Sequence, residues 1–380
     1  MLDIEEYLVE VEDPRSRECP HEFRDILLIA ICSTICGYLE WDEMEMYAET
    51  NEQWLREKLD LTFKTGIPSQ FAFKRIISAL DANKLESALI KWADSLRVIK
   101  EGDIIPIDGK TSRGSRVGKK VLHCVNAWSR KNGITLGQVA TADKSNEITA
   151  IPELIEQLDL KGTVVTIDAM GCQKFIASKI IEKEADYFLA LKGNQGIFYK
   201  EVSSYLNEQF GLLNNGKDFV GDFYETPDED GHGRIEQRKC LSVAVNPEDK
   251  DFDSVHFWDE IRSITAVESW RIDKKTGETS ITRRFYISST EAGAEKHLDY
   301  SRGHWEIENQ LHWVLDVQYG EDDSKVKSNA ARNQTTLRKF GLNMIKKYPK
   351  PKKRRSLKNC QKQASMSYEY LEGILGIGGN

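Results

Sequence analysis

Apolar and polar positions change their spacing along the chain, and the changes divide it into regions. Up to about residue 95 the spacing is helical. Residues 26–39 are almost continuously apolar between Asp25 and Glu40, and 42–59 form an amphipathic stretch around Trp54 and Leu55. Thr65-Gly66-Ile67-Pro68-Ser69 breaks the pattern, with Ser69 placed as an N-cap for a helix over 71–80, and another helix follows over 85–96. The pattern fits a compact bundle of helices and equally a helical module that reads DNA.

The spacing shortens after Gly102. Residues 103–108 form a short apolar run ending in an acid, followed by a polar loop over 111–120. Strands are predicted over 121–128 and 134–142 around a Lys131-Asn132-Gly133 turn, completing a three-strand meander. A helix over 148–158 with Pro152 near its first turn, a strand over 163–168 again ending in an acid, a helix over 172–183 and a strand over 187–191 come next. The order β-β-β-α-β-α-β predicts a mixed sheet covered by helices. Glycines and strand-like pieces at 241–245, 263–268 and 285–288 mark 196–295 as a β-rich insertion. Helical spacing returns over 297–317 and in a last helix over 332–347. The linear division is thus a helical domain at 1–97, an α/β domain at 98–347 and a basic tail at 348–380. Such a tail is a solvated end or, on a DNA enzyme, a set of phosphate contacts weakened by salt.

Composition narrows the class. Hydrophobic residues make up 40% and charged residues 30%, which excludes whole-chain disorder and low-complexity scaffolds. The net charge of −8 argues against a generally cationic surface and leaves room for a local basic patch. The longest apolar run is too short to span a bilayer, and the acidic N-terminal segment lacks the basic start of a signal peptide. Seven scattered cysteines do not form a disulfide framework, so the expected compartment is a reducing cytoplasm, at the nucleoid when on DNA, with no membrane partner.

Three carboxylates stand out. Asp108 and Asp168 each end a predicted strand, at the sheet edge where ligands gather in open α/β folds, and Glu308 lies in the later helical segment. Together they suit two Mg²⁺ ions, which take hard oxygen ligands and drive in-line phosphoryl transfer. A strand-end Asp is also an ordinary turn or cap residue. The run Arg302-Gly303-His304-Trp305-Glu306-Ile307-Glu308-Asn309-Gln310-Leu311-His312-Trp313 places His304, Glu308, His312 and Asp316 at successive i, i+4 positions of a helix. Three readings remain open for it: an acid flanked by DNA-contacting groups, a Zn²⁺ site of two histidines and a carboxylate, or a structural helix with buried tryptophans. Arg113 and its basic neighbours in the 111–120 loop fit phosphate contact or a solvated hairpin tip.

Six motifs then follow one another in order: Ile107-Asp108-Gly109-Lys110, Lys144-Ser145-Asn146-Glu147-Ile148, Thr166-Ile167-Asp168-Ala169, Leu191-Lys192-Gly193-Asn194-Gln195, His232-Gly233-Arg234-Ile235-Glu236 and the run from His304 to Val317. In these the chain resembles the ISAs1 family of insertion-sequence transposases, which includes the H-repeat-associated proteins. Asp13-Pro14-Arg15 and Gly66-Ile67-Pro68-Ser69 resemble that family's N-terminal region. The resemblance implies an RNase H-like mixed-sheet catalytic core with a β-rich insertion, preceded by an N-terminal helical, DNA-binding domain. It implies metal-dependent cleavage and strand transfer of an element's ends, with Asp108, Asp168 and Glu308 as catalytic metal ligands and Mg²⁺, or Mn²⁺ in its place, as cofactor. Lys110, Arg113, Arg302, His304, Trp305 and His312 are the residues expected to contact DNA. The implied partners are the terminal inverted repeats, target DNA and a second copy of the chain. The wider group carries Tyr, Arg and Lys around the third acid where this chain has Ser301, His304 and Leu315, and His-Asp-Thr where it has Gln70-Phe71-Ala72. These departures motivate the alternative of a catalytically inactive, DNA-binding remnant.

Overall fold

The computed structural model describes residues 3–16, 20–118, 120–141, 147–231, 233–246, 252, 254–348 and 355–377. Packing divides the chain into two compact units, one of residues 1–98, 109–146 and 308–380 and one of 99–108 and 147–307. This division cuts across the linear one expected from the sequence.

The chain opens with six helices: α1 (Asp3–Leu8), α2 (Phe23–Cys36), α3 (Trp41–Thr50), α4 (Glu52–Leu59), α5 (Gln70–Ala79) and α6 (Ala82–Ser95). The apolar run buries α2 from Asp25 to Cys36, and Gly37, at φ +86°, ends it by donating its N–H to the Ser33 and Thr34 carbonyls. The stretch expected as one helix over 42–59 is two, because Asn51 turns its side-chain amide back onto the Tyr47 carbonyl at 2.7 Å. Ser69 caps α5, its hydroxyl accepting from the Ala72 N–H.

Strand β1 (Ile104–Val117) is longer than expected and takes in most of the supposed polar loop. Its polar residues Lys110, Ser112 and Ser115 are buried. Lys110 lies in ion pairs and Ser115 donates to the Ser112 carbonyl at 2.7 Å, so neither needs solvent. Strands β2 (Lys120–Ser129) and β3 (Ile134–Thr141) form the expected hairpin, turning at Gly133 with φ +66°. Next come α7 (Glu147–Gln157), β4 (Val164–Ile167), α8 (Lys174–Glu182) and β5 (Asp186–Leu191).

The expected β-rich insertion begins instead with a 19-residue helix, α9 (Gly196–Asn214). Strands β6 (Asp222–Glu225), β7 (Glu229–Gly231), β8 (Arg234–Ala244), β9 (Ser263–Asp273) and β10 (Thr279–Ser288) follow. The insertion is not a separate sheet, because β10 pairs antiparallel with β5, Phe285 opposite Leu191. The strand order is β3-β2-β1-β4-β5-β10-β9-β8-β6, with β7 paired to β8; β1–β4 and β4–β5 are parallel. Helix α10 (Ala294–His304) lays Ala294 and Leu298 over Val164, Phe188, Cys240, Val267 and Tyr286.

The single helix expected over 297–317 does not continue. After α10 the backbone takes wider π-helical turns at Glu308–His312 and Val314–Gln318. Helix α11 (Ser328–Lys347) then packs with α2, α5 and α6. The segment expected as a tail holds α12 (Leu357–Met366) and α13 (Tyr368–Leu375), which close the helical core. Tyr368 of α13 stacks on Trp54 at 5.4 Å, and the Trp54 indole donates to Glu372 at 3.0 Å. No described helix is long and apolar enough to cross a membrane.

Candidate functional site

Two of the three expected acids share a sheet edge. Ile107 of β1 and Ile167 of β4 are the last register partners of two parallel strands, so Asp168 follows the end of β4, while Asp108, expected to end its strand, lies inside β1 just past its pairing with β4. Both isoleucines are buried and both aspartates half-buried. The turn after β4 fixes Asp168: its Oδ1 accepts the N–H groups of Met170 at 3.0 Å and Gly171 at 3.4 Å. Only glycine fits at 171, since a Cβ there would stand 2.3 Å from Ile167 Cγ2 and 2.9 Å from Ile151 Cδ1. Asn194 donates to the Ala169 carbonyl at 2.8 Å and Gln195 to the Cys172 carbonyl at 2.5 Å. The Leu191-Lys192-Gly193-Asn194-Gln195 motif therefore braces the loop that carries the second acid. His304 closes the same unit, its Nδ1 3.2 Å from the Thr166 hydroxyl.

Glu308 belongs to the other unit and opens the first π-helical turn. Its Oε2 lies 3.0 Å from Nδ1 of the buried His312. The His312 hydrogen bond holds the Glu308 carboxyl below its ordinary pKa against the opposing effect of burial, helped by the charges of His312 and Lys110. Lys110 is buried between Asp316 Oδ1 at 2.5 Å and Glu321 Oε2 at 2.8 Å. Burial alone would lower the Lys110 pKa, but Glu321 and Asp316 outweigh it and raise it. Glu321, also buried, would be pushed up by desolvation; Lys110, Lys339 and Arg338 hold it down at about 2. Asp316 is raised, by burial first, against the pull of Lys110. Lys110 thus ties β1 to the stretch that carries Glu308.

The expected stripe of His304, Glu308, His312 and Asp316 is corrected by this geometry. Glu308 and His312 do meet, whereas His304 turns to Thr166 and Asp316 to Lys110, because the backbone leaves α-helical pitch. Nδ1 of His304 is engaged by the Thr166 hydroxyl and Nδ1 of His312 by the Glu308 carboxylate. Of the residues expected to touch DNA, Lys110 and His312 are buried, Arg302 pairs with Glu229 at 2.5 Å, and Arg113 is exposed beside Asp322 at 3.7 Å. Trp305 is 50% exposed, with the Arg284 guanidinium 4.9 Å above its ring. His232 and Lys144-Ser145-Asn146 lie outside the described residues. Sequence reasoning missed Glu321, Gly171, Asn194 and Gln195 as supports; for the last two the signal was a motif without an assigned role.

Comparison with known proteins now places the chain. The family model described as "Transposase DDE domain" matches residues 99–344, and the one described as "DDE_Tnp_1-associated" matches 5–93. The chain belongs to the DDE transposase family. It is 39% identical to "Putative transposase YncI" of Escherichia coli O157:H7, over 97% of this chain and 93% of that one. It is 36% identical to "H repeat-associated putative transposase YhhI" of Escherichia coli K12, over 94% and 93% of the two chains. Among solved structures, the piggyBac transposase synaptic complex with hairpin DNA aligns at 12% identity and TM-score 0.42, over 98% of this chain and 76% of that one, a likeness too loose to build on.

Proposed function

We propose that this chain cleaves the ends of its own insertion element, of the ISAs1 type, and joins them to target DNA. The observation that carries the reading is the pair Asp108 and Asp168, each directly after the last register partner of the parallel pair β1–β4, inside the segment that matches the transposase domain. Asp108, Asp168 and Glu308 are the proposed ligands of two Mg²⁺ ions, with Mn²⁺ able to replace them. The donor set fits, being all carboxylate oxygen. Asp168 keeps Oδ2 for a cation while Oδ1 is held by backbone N–H groups, and Glu308 is kept ionised by His312. Three carboxylates brought together repel one another, so cations are the natural occupants.

A bound pair of divalent cations supplies an activated hydroxyl and charge stabilisation at the scissile phosphorus. The chain supplies position. The turn at Gly171, braced by Asn194 and Gln195, aims Asp168. Lys110 anchors the Glu308 segment through Asp316. Water attacks first and frees a 3′-OH; that hydroxyl then attacks the target strand, each time by in-line displacement with no covalent enzyme intermediate. Two ends must be joined, so a homodimer on DNA is proposed, working in the cytoplasm at the nucleoid.

The test is cleavage of a duplex carrying the gene's flanking inverted repeats, in Mg²⁺, by the parent protein, Asp108→Asn and Glu308→Gln. The expected result is a nick at the repeat boundary by the parent alone. A nick that survives Asp108→Asn sinks the reading. Binding without a nick from any of them, in Mg²⁺ and Mn²⁺, makes the chain an inactive remnant.

A further inference from the structure

The fifth motif, His232-Gly233-Arg234-Ile235-Glu236, has no part in the chemistry above, and the structure gives its residues 233–236 a place. Gly233, at φ +76°, precedes β8 at the β7–β8 turn. Arg234, Glu236, Arg238 and Cys240 alternate onto one face of β8. Opposite them on β9 stand Asp273, Arg271, Ser269 and Val267. Helix α10 covers the inner part of this face, over Cys240 and Val267. Beyond its end the outer part of the face is rich in arginine.

Glu236 is the hub. Its side chain is 9% exposed, yet three guanidiniums converge on it: Arg234 at 2.5 Å, Arg271 at 3.0 Å and Arg238. Arg238 also reaches Glu229 at 2.9 Å, and Glu229 takes Arg302 from the end of α10 at 2.5 Å. Arg284 lies on the same face of β10, over Trp305. Four arginines thus share the carboxylates of Glu229 and Glu236, and with Arg284 on the same face they exceed those acids and Asp273, a local positive excess in a chain whose net charge is −8. One buried carboxylate neutralises one guanidinium; holding three, it orients two further charges toward water. Arg234, Arg271 and Arg302 keep 41–46% of their side chains exposed, so their outer edges are open to a partner.

We propose that this arginine-studded outer face of β8–β10 docks the phosphate backbone of duplex DNA, with Glu236 as the residue that positions its guanidiniums. The inference rests on the reading of the chain as a DNA transposase and adds a surface to it, apart from the acids. Charge complementarity commits the face to a polyanion, and the planar guanidinium matches phosphate bidentately. Contacts of this kind are indifferent to sequence and strongly dependent on salt.

The experiment measures binding of two labelled duplexes, one with the flanking inverted repeat and one unrelated, across a salt series, in full-length Asp108→Asn protein. Adding Arg234→Gln and Arg271→Gln is expected to weaken both duplexes by roughly tenfold at moderate salt and to reduce the log–log salt slope by about two. The corresponding Lys pair restores the slope and only part of the affinity. Glu236→Gln weakens binding although it makes the chain more positive, an outcome that net charge alone would reverse. If the double variant does not fold, Arg271→Gln alone reads the same effect as a slope loss of about one. Unchanged affinity and slope in a folded variant overturn the proposal, as does a loss confined to the repeat duplex. Absence of any duplex binding by the Asp108→Asn parent would overturn the transposase reading as well, so the two failures are distinguishable.

Discussion

Two sets of carboxylates in this chain stand in opposite environments. In the helical unit Glu321 and Glu86 are buried, and each is matched from within the chain: Glu321 by Lys110, Arg338 and Lys339, Glu86 by Arg332 and the Gln138 amide. In the sheet unit Asp168 is half-buried and steadied by two backbone N–H groups. A fully buried carboxylate must find its cation in the chain, because leaving it alone costs several kcal/mol. A carboxylate meant for an external cation has to stay reachable and only partly satisfied. The same side-chain chemistry thus holds a fold together in one place and is kept available in the other.

The largest expected contrast comes from deleting one charge in each unit. Glu321→Gln strands Lys110, Arg338 and Lys339 around a neutral group and should cost about 3–5 kcal/mol in urea unfolding. Asp168→Asn should stay within about 1 kcal/mol of the parent while losing cleavage by roughly 100-fold or more. Equal destabilisation by the two would erase the distinction.

Acid should separate the units next. His297, buried under the Ser242, Thr265 and Thr290 hydroxyls, is held down to about 4, chiefly by desolvation. A folded pKa below the ordinary 6.5 means the unfolded chain binds the proton more readily. The shift therefore costs nothing above pH 6.5, where the ring is neutral in both states, and destabilises the fold by up to about 3 kcal/mol as pH falls toward 4. Glu321, at about 2 against 4.5, contributes a similar amount that is complete above pH 4.5 and lost toward pH 2. His297→Gln should flatten the upper window of a stability–pH curve and Glu321→Gln the lower one.

Smaller effects sharpen the picture. Gly171→Ala should cost about 1–3 kcal/mol by forcing a Cβ against Ile167 and Ile151, and should lower cleavage by tilting Asp168. Lys161→Ala breaks a pair with Glu184 that is open to water, and its melting midpoint should match the parent's.

Helices α2, α5 and α6 and the end of β4 before Asp168 were legible because their signals are local: an apolar period, a cap, an acid closing an apolar run. The second half of β1 was not, since Lys110, Ser112 and Ser115 read as solvent-facing until their partners are known. Helix α9 was hidden among the glycines that follow it. The π-helical turns after α10 broke the spacing argument for His304 and Asp316, while the Glu308–His312 contact survived them. The network of Lys110, Glu321 and Arg338 has no sequence signature, because its members are joined only by the fold.

The seating of α13 also bears on synthesis. Trp54 stacks on Tyr368 and donates to Glu372, and Leu371 and Ile374 complete a core whose other members begin at Ile4. On the ribosome, the first helices must wait for nearly the whole chain before that core can close. A nascent chain holding α2 without α11 and α13 exposes a long apolar surface for most of its elongation time. Such contacts between distant parts of a chain slow folding and leave intermediates prone to aggregate. The early apolar helices are thus the segments whose core partners are made last.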